Sequence, residues 1–347
     1  MNPSARERYS RQILFAGIGE QGQERLCNSS AAIVGCGALG ATVANLLVRA
    51  GIGRLRIIDR DFVEPSNLQR QALFEELDAQ EALPKAVAAE RRLRAINSDV
   101  KVEGIVADLD CRNAEELLGG FPLLLDGTDN FETRLLVNDY AVNTGTPWVY
   151  GAAVSSHGVT MAIRPGKTAC LACMLEQPTG KAGTLGPSLE PTCDTAGVLG
   201  AVAGVIASLE AASAMKLLLG QTDPSEGRII SCDVWTGRFQ SVSVSKETGC
   251  RACGRREFAY LEGRAQPHVT MCGRDSVQIH ERRRNLDLVR LGQALAASGG
   301  DVRQNGFLLR LRVPPHEITV FADGRAIIKG TRDPSVARSL YSRYVGA

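Results

Sequence analysis

Apolar runs and helical periodicity alternate along the first two-thirds of the chain. Ala31 to Val34 is a short apolar run of the kind that forms a buried parallel strand. Gly35-Cys36-Gly37-Ala38-Leu39-Gly40 follows at once, and Ala41 to Ala50 has helical spacing with Val43, Leu46, Leu47 and Ala50 apolar. Gly51 and Gly53 close that helix, and Arg54 to Asp59 reads as a second strand ending in an acid. Pro84-Lys85 opens another helical pattern, with proline suited to a first turn. Leu123 to Leu125 is a buried strand running into Asp126-Gly127-Thr128-Asp129-Asn130, and Phe131 to Thr144 is helical. Val198 to Leu209, closed by Glu210, comes nearest to a membrane span, and its Gly200/Gly204 pair suits a membrane-helix contact. It falls short of the roughly 20 apolar residues a span needs, so it reads as a closely packed buried helix starting near Thr195.

After Gly254 the composition turns Arg-rich and polar, and a small α+β pattern follows. It comprises a strand near Val277 to Ile279, a helix from Asn285 to Ala297, and strands at Leu308 to Val313, Ile318 to Phe321 and Arg325 to Lys329. Ala322-Asp323-Gly324 is a hairpin-turn signal, and Pro334 to Tyr344 is a final helix. The expected organisation is a large α/β domain over 1–257 and a small α+β domain over 258–347. The expected fold class is α/β: a Rossmann-like, mostly parallel sheet with an antiparallel continuation.

Composition narrows the function classes. The net charge of the 347 residues is only +2 with acids and bases interspersed, so the basic stripe of a nucleic-acid binder is missing. The N-terminal segment with Arg6, Glu7, Arg8 and Arg11 has no apolar signal-peptide core, so no membrane partner and a cytoplasmic location are expected. Ten cysteines in that compartment read as thiols and metal ligands rather than disulfides.

The strand, glycine turn, helix and second strand form a βαβ unit. Gly35, Gly37 and Gly40 let backbone approach a phosphate or ribose, and the helix start offers free N–H donors. Asp59 stands roughly 20 residues on, where an acid accepts hydrogen bonds from ribose hydroxyls. The turn alone could also be a packing device, and a nicotinamide dehydrogenase would fit the unit equally well. The polar loop Val63 to Gln71 follows the second strand, where an open α/β sheet binds its ligand, so Asn67, Gln69 and Arg70 are aimed toward the nucleotide. Lys85 sits at a helix start, where the helix dipole disfavours a cation but a triphosphate would favour one. Taken singly, Arg70 or Lys85 would be a solvated surface charge. Asp129 can hold magnesium at its strand end, and either Asp129 or Asn130 can cap the following helix.

Cys170-x-x-Cys173 and Cys250-x-x-Cys253 can present four thiolates to one tetrahedral, structural zinc. A thioredoxin-like redox pair would come as a single pair at a helix start. Cys193 follows a Gly/Pro-rich segment and precedes a helix, so it is either a nucleophile with a lowered pKa, opposed by the adjacent Asp194, or an inert thiol.

Arg8-Tyr9-Ser10-Arg11-Gln12, Gly35 to Gly40, Asp59-Arg60-Asp61, Ser66 to Arg70, Pro84-Lys85, Asp126 to Asn130, both cysteine pairs and Thr192 to Gly197 occur in an order that resembles the ThiF/MoeB family, over about residues 6–255. That family, related to ubiquitin-activating enzymes, adenylates the C-terminal glycine of a sulfur carrier such as ThiS or MoaD with ATP and magnesium, after which sulfur is added. The resemblance implies a homodimer with Arg11 reaching the partner's site, Asp59 on the ribose, Asn67, Arg70 and Lys85 on phosphates, Asp129 on magnesium, and Cys193 as the cysteine that can bond the carrier through sulfur. It also implies a sulfur donor such as a cysteine desulfurase. Ala38 replaces a glycine common in relatives and slightly limits backbone approach. The tail resembles the extension of some Bacillus-type ThiF proteins. The rival readings are an NAD-dependent oxidoreductase, which leaves Asn67 to Arg70 and Lys85 unexplained, and a noncatalytic scaffold, which the intact Arg11, Arg70, Lys85 and Asp129 set argues against.

Overall fold

A computed structural model describes residues 3–175, 196–221, 226–265, 276–279 and 286–346. The chain divides into two compact units, Met1–Ala265 and Gln266–Ala347.

The first unit is built on an eight-stranded sheet: β1 (Ser30–Val34), β2 (Arg54–Asp59), β3 (Lys101–Val106), β4 (Leu124–Asp126), β5 (Trp148–Val154), β6 (His157–Ile163), β7 (Arg228–Asp233) and β8 (Arg238–Ser243), in the order β3-β2-β1-β4-β5-β6-β7-β8. Strands β3 to β5 run parallel, and β6, β7 and β8 continue the sheet antiparallel. The winding reverses between β1 and β4, and the crevice at such a reversal is where open α/β sheets take their ligands. Ala31 to Val34 are all buried, because helices cover both faces of this part of the sheet. On one face, the helix Gly200–Leu218 packs against β5, β6 and the helix Ala38–Ala50. On the other, the helix Phe131–Thr144 buries Leu135, Leu136 and Tyr140 in a core with Val34, Leu124 and Trp148.

The Gly200–Leu218 helix is long and apolar enough to cross a membrane, yet its buried face rests on this sheet and carries Glu210, which is 0% exposed. The helix after the glycine turn begins at Ala38 rather than Ala41, because Gly37 is its N-cap and Ala38 to Gly40 form the first turn. Ala38 is therefore a helical residue. Past the second cysteine pair, Phe258 stays buried in the core of the first unit.

The second unit holds an antiparallel sheet of β9 (Ser276–Ile279), β10 (Asp301–Gln304), β11 (Leu308–Val313), β12 (His316–Phe321) and β13 (Ala326–Lys329), ordered β10-β11-β12-β13-β9. The β12–β13 hairpin turns through Gly324, whose φ of +88° needs glycine. Strand β10 is an exposed polar edge without an apolar alternation, so periodicity does not mark it. The helix expected from Asn285 starts at Leu288, capped by Asp287; Asn285 lies outside the described residues. That helix and the terminal one, Pro334–Tyr344, share a core with Leu309, Ile318 and Ile328.

Candidate active site

The carboxyl ends of β1 and β4 meet backbone to backbone. A Cβ on Gly35 would lie 2.5 Å from the Gly127 carbonyl oxygen, and one on Gly40 would lie 2.0 Å from the Gly35 oxygen. Both positions therefore exclude any side chain. Gly37 is different: its nearest neighbours would be the Gly127 oxygen at 3.6 Å and the Gln71 amide at 3.9 Å. As the N-cap of the Ala38–Ala50 helix it makes no side-chain cap bond, which leaves the first helical N–H groups to an incoming anion or hydroxyl.

Asp59 ends β2 almost fully buried. Its carboxylate accepts from the Cys36 N–H at 2.5 Å and the Asp61 N–H at 2.7 Å, which pins it against the glycine turn. Burial raises its pKa, opposed by Lys85. The remaining lone pairs suit ribose hydroxyls. Cys36 is buried too, and burial with Asp59 beside it pushes its thiol up, so it is inert.

Lys85 opens the helix Lys85–Ile96, as its sequence position suggests, and its Nζ stands 3.2 Å from Asp61. Burial works against the ammonium, yet Asp61, Asp59 and Asp129 together raise its pKa above the ordinary lysine value. Lys85 is thus a charged, nearly buried cation ringed by three acids. Asn67 is buried, and its side-chain oxygen accepts from the Glu64 N–H at 2.9 Å, so it braces the loop while its NH2 can donate to a ligand. Arg70 donates to the Ser66 carbonyl at 2.8 Å, while Gln69 is exposed. The start of the Gly200–Leu218 helix backs this loop, with a Cβ on Gly200 falling 3.0 Å from the Gln69 carbonyl.

Asn130 caps the helix Phe131–Thr144, accepting from the Thr133 N–H at 2.8 Å, and Asp129 beside it is exposed. An exposed carboxylate that also acts on Lys85 is a suitable oxygen ligand for a magnesium ion on phosphates. Arg11 is not brought to this cluster by its own chain. Gln12, its neighbour, donates to the Ala50 carbonyl at 2.9 Å, at the far end of the helix whose start is the glycine turn. Thirteen helical residues put about 20 Å between those ends. Cys193 lies outside the described residues.

Two buried residues escape motif reading. Arg134 bonds Asp126 at 2.9 Å, the Thr128 carbonyl at 2.7 Å and the Gly151 carbonyl at 3.1 Å, so it holds the β4 loop from beneath. Glu210 has no hydrogen-bond partner for either carboxylate oxygen among the described residues. Burial, reinforced by Asp126 and only offset in part by Arg134, raises its pKa well above the ordinary carboxyl value, which favours the protonated form. A charged residue inside an apolar helical face is the sequence signal for each, but it does not show what that residue faces in the fold.

The four cysteines converge. The sulfurs of Cys170, Cys173, Cys250 and Cys253 lie within 4.8 Å of one another, with Cys170–Cys250 at 3.7 Å and Cys173–Cys253 at 3.3 Å. These separations exceed a disulfide bond of about 2.05 Å. They approximate the edges, about 3.8 Å, of a tetrahedron with metal–sulfur bonds near 2.3 Å. The donor set therefore fits zinc.

Residues 9–252 match the ThiF family. The chain is 43% identical over 344 residues to the sulfur carrier protein ThiS adenylyltransferase of Bacillus subtilis, covering 98% of this chain and 99% of that protein. It is 40% identical over 253 residues to a Thermus thermophilus sulfur carrier protein adenylyltransferase, covering 72% of this chain and 90% of that one. The crystal structure of Escherichia coli MccB with ATP superimposes with a TM-score of 0.62 at 27% identity, covering 71% of this chain and 74% of that chain. With the glycine turn, the Lys85 cluster and the four cysteines in place, this chain belongs to the ThiF family.

Proposed function

We propose that this chain uses ATP to adenylate the C-terminal glycine of a ubiquitin-like sulfur-carrier protein, releasing pyrophosphate. The observation that carries the reading is the near full-length likeness to a ThiS adenylyltransferase. That match extends through the second unit and is to a protein named for ThiS, which favours a ThiS-like over a MoaD-like carrier and thiamine over molybdopterin synthesis.

The residues suit the chemistry. A carboxylate attacking the α-phosphate brings two anions together, so catalysis rests on positioning and on cations around the phosphates. No general base is needed, since the carrier's terminal carboxylate is already ionised. Asp59 holds the ribose, Asn67, Arg70 and Lys85 contact the phosphates, and Gln69 faces the nucleotide. Asp61 fixes Lys85, and the 3.2 Å contact between them supports that role. Magnesium on Asp129 would neutralise phosphate charge and orient the leaving pyrophosphate. Arg11 serves the partner's site in a homodimer, a reading supported by its distance from its own glycine turn and by the exposed Leu14 and Phe15 that follow it. Zinc on the four cysteines is structural. The second unit supports carrier docking or the dimer, Cys193 bonds the carrier through sulfur, and a cysteine desulfurase supplies that sulfur.

The experiment is to incubate the chain with ATP, magnesium and each candidate carrier, then weigh the carriers. A ThiS-like carrier gaining the mass of one adenylyl group supports the reading; carriers of unchanged mass throughout refute it.

A further inference from the structure

The helix Phe131–Thr144 touches both halves of the cysteine cluster and the nucleotide-side loop. Asn138 and Asp139 lie adjacent on it, and each is 0% exposed. The Asn138 side-chain oxygen accepts from the Leu171 N–H at 2.9 Å, inside the Cys170-x-x-Cys173 turn. Asp139 receives both prongs of the Arg251 guanidinium at 3.0 Å each, inside the Cys250-x-x-Cys253 turn. Asp139 also accepts from the Tyr260 N–H at 3.1 Å, just past that turn. One residue thus grips each cysteine turn. One helical turn toward the N-terminus, Arg134 holds Asp126 and the Thr128 carbonyl, and Asn130 caps the helix beside Asp129.

We propose that Asn138 and Asp139 are positioning residues that set the four thiolates for the metal and that, through this helix, tie the metal site to the Asp129 loop. Buried polar groups of this kind orient ligand-bearing turns before the ion arrives. Asp139 is held by a bidentate arginine and a backbone N–H, so a strong, directional charge-assisted pair joins the Cys250 turn to the helix. The distance to bridge is small: Asp139 lies about 12 Å along the helix from its first residue, Phe131, two residues past Asp129. Loosening the turns therefore frees the helix that carries Arg134, and Arg134 fixes the loop whose end is Asp129. The inference rests on the zinc and nucleotide roles proposed above, and adds which residues join them.

The test uses the full-length chain with zinc bound and needs no turnover. Zinc release to a metallochromic chelator and Mg-ATP affinity by calorimetry are measured for the native chain, Asp139→Asn and Arg251→Lys. The first substitution keeps the shape but not the charge, and the second keeps the charge but not the fork. Each variant is expected to release zinc about tenfold faster or more, the usual effect of losing such a partner. With zinc still bound, each is expected to bind Mg-ATP severalfold more weakly than the native chain. Arg251→Lys and Asn138→Ser carry the same readouts should Asp139→Asn lose its cooperative melt. Zinc release unchanged in the folded variants overturns the positioning role. Faster release with unchanged Mg-ATP affinity overturns the link to the Asp129 loop. A native chain that holds no zinc overturns the metal reading itself, and this proposal with it.

Discussion

The Lys85 ammonium stands 3.2 Å from the Asp61 carboxylate, and the Lys85 N–H also bonds the Asp61 backbone carbonyl at 2.9 Å. Two contacts thus tie the start of one helix to the segment just after β2, and Asp59 and Asp129 add their fields to the same cation. Without an anion, the acids keep the ammonium charged and in place. A triphosphate would then meet a cation already oriented.

Replacing Lys85 with alanine is expected to lower carrier-dependent adenylation by about 100-fold or more, the scale of removing one preorganised transition-state contact. Because the surrounding acids raise the Lys85 pKa, its charge persists through neutral and moderately alkaline pH. The pH profile of kcat/KM should therefore show no loss attributable to this group between pH 7 and about pH 9.5. An alkaline limb that disappears in Lys85→Arg would contradict this.

Arg11 supplies a test of subunit exchange. Arg11→Ala and Lys85→Ala homodimers should each be nearly inactive. Mixed and allowed to exchange at equal amounts, half the dimers are heterodimers, each with one intact site, so about a quarter of native activity should return. Activity that stays at the level of the separate variants would place Arg11 outside the partner's site.

Glu210 gives a pH dependence of stability with a definite sign. Its folded pKa is raised by burial and by Asp126, against the opposing Arg134. Above the ordinary glutamate pKa of 4.5 the unfolded chain loses this proton while the folded chain keeps it. Folding stability from this group is therefore full below that value and falls as pH rises, by at most about 1.4 kcal/mol per pH unit. Glu210→Gln removes the titration, so its melting temperature should gain on the native chain as pH rises above the ordinary glutamate pKa. A pH-independent difference would show Glu210 to be ionised in the fold.

The four-cysteine cluster predicts one zinc per chain. Cys250→Ser should abolish stoichiometric zinc on metal analysis and lower the melting temperature by about 5 °C or more, since a metal bound only by the folded chain stabilises it. Full zinc content in that variant would exclude the four-thiolate site.

Much of this architecture is legible because local patterns and local mechanics coincide. The run Ala31 to Val34, the glycine turn and the helix after it form one unit in which Gly35 and Gly40 admit no side chain. The Phe131–Thr144 helix follows from the strand-to-helix change, which narrows its cap to two adjacent polar residues, of which Asn130 caps. The exposed edge β10 has no apolar alternation and so leaves no periodic trace. The buried polar pairs are illegible for another reason. Asp139 meets Arg251 across 112 residues, and Asn138 meets Leu171 across 33, so only the closed fold shows that they meet. Asn67 and Lys85 illustrate an intermediate case: the loop and helix start are readable, while the Glu64 and Asp61 contacts that orient them are not.

The central claim is carrier-dependent adenylation, and exchange of labelled pyrophosphate into ATP tests it most directly. With magnesium and a cognate carrier ending in glycine, the native chain should catalyse exchange; without carrier, or with the terminal glycine removed, it should not. No exchange with any cognate carrier, or binding of NAD in place of ATP, would contradict the account.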